Sequence, residues 1–196
     1  MLLRFLKAWT VGFYNPARAV SIIAELPAPY WALLAVGIRS AATSLLWYLP
    51  QYVAGRTPIP LPYLSMVPVE RYYLFLVWFT PVDYFLVWLL GGALTWFVFR
   101  LGRREVGLGA ILSICGMASL VSGTALLLFD LAVRAANWEL PRTLWGLLHL
   151  ALDFWYYAIT ITGFRRVLKV PIWLAVIAVV ATFAVGVPIA MLFMRA

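Results

Sequence analysis

Five stretches of this chain are apolar for long enough to cross a lipid bilayer, and that property decides most of what it can become. A spanning helix needs about 20 mainly apolar residues to cover a hydrocarbon core of about 30 Å. The stretches cover approximately residues 29–49, 72–99, 106–133, 144–164 and 171–194. Each is continuously apolar rather than alternating with a period of two, so helices are expected and a barrel is not. Of the 196 residues, 65% are hydrophobic and 11% charged, against about 45–50% and 25% in soluble domains. A water-soluble fold of this size has no room to bury so much apolar surface. The expected class is all-α: an integral membrane bundle of five transmembrane helices (29–196) behind a cytosolic or interfacial N-terminal segment (1–28).

The basic residues set the expected orientation. Arg4, Lys7, Arg18, Arg100, Arg103, Arg104, Arg165, Arg166 and Lys169 fall on one side of such a topology. Arg56, Arg71, Arg134, Arg142 and Arg195 fall on the other, and Arg39 lies inside a span. Short basic loops next to helix ends face the cytoplasm, so the N-terminus is expected inside and the C-terminus outside, in a prokaryotic cell membrane. The net charge of +8 then needs no nucleic acid; it reports topology and an affinity for anionic lipid heads on the cytosolic side.

The start of the chain lacks the uninterrupted apolar stretch and small-residue cleavage site of a signal peptide, because Arg4 and Lys7 break it. Leu2, Leu6, Trp9 and Phe13 instead recur at helical spacing. That pattern fits an amphipathic helix in the membrane interface, or a short tail packed on the bundle. Trp31 and Trp173, each just after a proline that opens a span, complete the expected interfacial anchors, and Trp47, Tyr48, Trp138 and Trp145 mark the outer face. Between the first two spans, Pro58-Ile59-Pro60-Leu61-Pro62 predicts extended backbone, as cover over the helix ends or as a lid.

Ionisable groups inside spans cost about 2.5–3.5 kcal/mol each at mid-helix, which makes them the best pointers to function. Arg39, Asp83, Asp130, His149 and Asp153 qualify. Arg39 sits among Gly37, Ser40, Thr43 and Ser44, a face suited to helix contact and to a buried partner. Asp83 follows Thr80-Pro81, which either caps a restarted helix or lies within a kinked one. The four-residue spacings pair Asp130 with Arg134 at an outer helix end and His149 with Asp153. Asp83, Asp130, His149 and Asp153 fall in the outer half and form a candidate polar cluster that draws Arg39 from below, with no completed metal shell.

Catalytic signatures are missing: there is no H-E-x-x-H, G-x-S-x-G or phosphate-cradling glycine loop, so no enzyme, cofactor or metal is expected. Gly109, Ser113, Gly116, Ser119 and Gly123 form small-residue faces for close helix packing, with Cys115 as a small filler.

Asn15-Pro16 ahead of an amphipathic stretch, Gly91-Gly92 late in the second span, Gly116-Met117-Ala118-Ser119 in the third, and Trp155 with Gly163-Phe164-Arg165 closing the fourth form a pattern. It resembles the Yip (Ypt-interacting-protein) membrane domain family in its compact prokaryotic form. The resemblance implies five helices with a cytosolic N-terminus and a role in membrane shaping or trafficking. The chain departs from the pattern in having Leu120-Val121 where a proline often follows G-x-A-S, and it has no D-L-Y-G-P-type signature. Rab-type GTPase binding is not implied. The leading expectation is a non-enzymatic protein organising lipids or partner proteins, as a homo-oligomer or with a membrane partner. The alternative is an ion- or proton-coupled transporter or channel using the Arg/Asp/His cluster. Arg39 tightly paired in a dry bundle would favour the first; Arg39 in a cleft would favour the second.

Overall fold

The computed structural model describes residues 1–26, 29–58, 67–136, 138 and 141–193. Among these every regular element is helical and no strand forms. Eight α-helices follow in order: α1 (Leu2–Gly12), α2 (Pro16–Ala24), α3 (Tyr30–Thr43), α4 (Leu49–Val53), α5 (Tyr72–Leu101), α6 (Leu108–Ala135), α7 (Arg142–Arg166) and α8 (Ile172–Phe193). A π-helical turn, Ser44–Tyr48, joins α3 to α4, and a 3₁₀ turn, Val69–Arg71, leads into α5. Among the described residues four helices are long and apolar enough to cross a membrane: Tyr30–Val53, Val69–Leu101, Leu108–Ala135 and Thr143–Arg166.

Local chemistry explains the irregular points. Pro50 has no N–H, and its ring would collide with the carbonyl four residues back in a regular helix. The π turn ahead of it widens the helix, with the Leu49 N–H bonding the Ser44 carbonyl five residues back. Pro81 sits inside α5, which continues through it for 30 residues. The capped restart at Thr80 is therefore not what forms. Thr80 is an interior helical residue whose buried hydroxyl has no protein partner, and Asp83 is carried into the bundle instead of to a helix end. At α2, the Asn15 side chain accepts from the Arg18 N–H at 3.1 Å, with Pro16 in the first turn.

The third apolar stretch of the sequence becomes the central helix. Within α6, 72% of the apolar window is buried, against 11% in α7, so α6 is the post around which the others pack. Helix α3 lies against α6 where Gly116 faces the backbone of Ala32. One apolar core gathers Phe5, Val20, Ile111, Ile114, Phe99 and Phe164, the last two meeting edge-on at 5.1 Å. A smaller cluster of Tyr48, Tyr72, Tyr73 and Leu76 joins the first span to the start of α5. The proline-rich run from Ile59 onward lies outside the described residues.

Helices α1 and α2 fold back on each other, Arg4 lying 3.7 Å from Glu25 in a solvent-exposed pair worth at most about 1 kcal/mol. They pack into the same core as the long helices. The face of α1 that turns inward is Phe5, Ala8, Val11 and Gly12. Leu2, Leu6 and Phe13 point outward, as does Trp173 on α8. Trp9 and Trp31 do not share that exposure: the Trp9 indole N–H donates to the Thr124 hydroxyl at 3.3 Å, and Trp31 stacks on Phe5 at 5.2 Å. Both rings pack on the apolar core, and Trp9 gains a hydrogen bond to α6 as well.

Candidate functional site

Arg39 is 6% exposed on the face of α3 that meets α5 and α6. Its Nη1 donates to the Thr43 hydroxyl one turn on, and that hydroxyl donates to the Arg39 carbonyl at 3.0 Å. The guanidinium carbon lies 5.4 Å from the centroid of the Tyr84 ring, within cation–π range. Gly123 of α6 makes room for it, since a Cβ there would overlap the arginine side chain. Among the described residues, no carboxylate comes within 4.0 Å of this guanidinium. A buried charge without a counter-charge costs several kcal/mol.

The guanidinium faces space. A cavity of about 170 Å³ is lined by Arg39, Tyr84, Ser119, Ser122, Asp153 and Tyr156, among others. A second, of about 300 Å³, is lined by Asp83, Tyr84, Trp88, Asp153, Tyr157 and Thr182, with further residues of α5 to α8. Tyr84, Ser119, Asp153 and Tyr156 line both, so the two spaces adjoin. Asp83 is 2% exposed and its Oδ1 has no protein hydrogen-bond partner; a buried acceptor left so costs about 1–3 kcal/mol, more when charged. The nearby indole N–H of Trp88 is already committed to the Leu112 carbonyl at 2.9 Å. The site therefore holds a buried cation and a buried acid, each short of a partner.

Asp130 and His149 stand apart from this space. His149 Nε2 and Asp130 Oδ1 are 2.8 Å apart, joining α6 to α7. The imidazole also lies 4.9 Å from the Trp145 ring and 6.3 Å from Phe129. Both four-residue pairings expected from the sequence are replaced by this one. Asp130 is buried rather than at a surface, so it gains far more from an imidazole reaching across than from an exposed pair with Arg134. Asp153 remains exposed on α7, next to the cavities. His149→Ala is expected to destabilise the protein by at least about 1–3 kcal/mol by orphaning the buried carboxylate. His149→Gln, which keeps a donor, should recover most of that in a thermal unfolding series in detergent.

Of the five sequence candidates, the structure brings Arg39, Asp83 and Asp153 to one pair of adjoining cavities and joins Asp130 to His149 elsewhere. Sequence reasoning missed Tyr84, Trp88, Tyr157 and Thr182 as cavity walls. The signal was present in part: Tyr157 lies four residues from Asp153, on the same helical face. Among the described residues no group of three or more His, Cys, Asp or Glu side chains is placed to hold a metal ion. Comparison with protein-family models, with curated proteins and with solved structures finds no match.

Proposed function

We propose that this chain is a multi-pass membrane protein that binds a small polar solute within its helix bundle and moves it across the bilayer, as a transporter or channel rather than an enzyme. The observation that carries this reading is Arg39: buried, with no carboxylate within 4.0 Å among the described residues, and facing a cavity adjoining the one that holds Asp83. A scaffold gains nothing from that arrangement, whereas a binding site needs its charges unspent until the ligand arrives. Helix α8, at 22 residues, is long enough to serve as a fifth span, about 33 Å at 1.5 Å per residue. The basic ends of α5 and α7, with Arg100, Arg165 and Arg166, support a cytoplasmic N-terminus in a cell membrane.

Proteoliposome flux tests this. Uptake of polar solutes and protons should exceed that of empty vesicles, and Arg39→Gln should reduce it by at least about 10-fold, the scale of one lost charge contact. Absence of any flux above background, or full flux in Arg39→Gln, ends the proposal.

A second reading, membrane organisation of the Yip type, draws support from α1. That helix presents Leu2, Leu3 and Leu6 outward beside Arg4 and Lys7, a composition suited to an anionic lipid surface. Vesicle deformation that requires α1 and is indifferent to Arg39 would favour it.

A further inference from the structure

Charge and aromatic surface are distributed unevenly along the two cavities, and the distribution identifies a ligand class. Arg39 lines only the smaller space and Asp83 only the larger, with Asp153 in the wall between. The larger space is walled by Trp88, Tyr156 and Tyr157, whose ring faces attract cations, together with the two carboxylates. An organic ammonium group suits it: it donates hydrogen bonds to carboxylate oxygens and sits over ring faces, where a bare metal ion would want several oxygen ligands. The smaller space offers the opposite chemistry, a guanidinium that among the described residues donates to one hydroxyl and lies over one ring. Its remaining N–H groups match a phosphate or carboxylate. A simple anion at Arg39 would leave the carboxylates of the larger space uncompensated, and a simple amine would leave Arg39 without an anion.

We propose that the adjoining cavities hold one zwitterion, its ammonium group between Asp83 and Asp153 and its phosphate or carboxylate group at Arg39. The inference rests on the binding reading above and adds the substrate class. Two sources present this chemistry: a free phosphoamine or amino acid, and the headgroup of a zwitterionic phospholipid.

Calorimetric titration of the full chain in maltoside micelles separates the cases with three probes. These are phosphoethanolamine, which carries both charges, ethylamine, which carries only the cation, and inorganic phosphate, which carries only the anion. Phosphoethanolamine is expected to bind at least about 10-fold more tightly than either partial probe, one added charge contact being worth at least that factor. Arg39→Gln should lower it to the affinity of ethylamine, and Asp83→Asn to that of phosphate. The two variants test opposite ends, so loss of fold in one leaves the other decisive. Ethylamine binding as tightly as phosphoethanolamine, with no dependence on Arg39, overturns the zwitterion and leaves a cation-binding cavity. No binding by any probe, together with no flux, removes both readings.

Repeating the titration in phosphatidylglycerol vesicles with and without phosphatidylethanolamine identifies the source. Weakening of the soluble probe by the added lipid assigns the site to a headgroup, and an unchanged affinity assigns it to a free solute. Either result supports the zwitterion.

Discussion

Gly116→Leu is expected to destabilise the bundle more than any other single change considered, by more than about 3 kcal/mol, lowering the unfolding midpoint by roughly 6–12 °C for a chain of this size. A Cβ at position 116 would stand 3.0 Å from the Ala32 carbonyl oxygen, 3.1 Å from its Cα and 3.1 Å from its Cβ. Two of those atoms are backbone of α3, which has no rotamer to relieve the contact. Alanine alone already requires α3 and α6 to separate by a few tenths of an ångström, and overpacking of this sort costs about 1–3 kcal/mol. Leucine adds three more carbons to a seam with no space for them, and the seam belongs to the helix on which the others depend. The control is Gly146→Ala on α7, where an added Cβ meets nothing within 4 Å. That variant should be neutral or more stable by up to about 1 kcal/mol, because alanine is the better helix former. Thermal unfolding in detergent, followed by circular dichroism, compares the two. Equal midpoints would mean that α3 and α6 do not meet at Gly116.

The same glycine shows what was legible in the sequence. Runs of apolar residues determine helices by length, and small residues four apart in the third span announce close packing; both signals are local, and the helices form where they fall. Helix α5 was readable only up to a choice at Pro81, since a proline in a membrane helix can be tolerated when packing holds both sides of it. The charged residues were readable as costly, yet their partners were not. Spacing along one helix favours Asp130 with Arg134 and His149 with Asp153, whereas the angle at which α6 and α7 meet sets His149 on Asp130 instead. Such cross-helix contacts depend on rotation and tilt, which no periodicity records. The face of α1 was ambiguous for a related reason. Its residues are apolar on two sides, and the smaller side chains Ala8, Val11 and Gly12 with Phe5 permit a closer approach to the bundle than the leucines do.

Gly123→Ala separates the site from the fold. A Cβ at position 123 would overlap the Nε, Cδ and Cζ atoms of Arg39, the flexible end of a side chain rather than backbone. The chain can yield there, so the expected loss of stability is within the about 1–3 kcal/mol of ordinary overpacking, with helix content unchanged. The guanidinium, however, has to leave Thr43 and the Tyr84 ring. The open direction is the smaller cavity, where Asp153 stands in the wall. Displaced toward that carboxylate, the arginine spends its charge on an ion pair at the wall the two spaces share. Flux and zwitterion binding are then expected to fall as far as in Arg39→Gln, by at least about 10-fold. The double variant Arg39→Gln/Gly123→Ala should be no worse than either single change, because both remove the same interaction. Additive losses would mean that Gly123 matters for some contact other than Arg39. Undiminished flux in Gly123→Ala would mean that the position of the guanidinium is not what the cavity depends on.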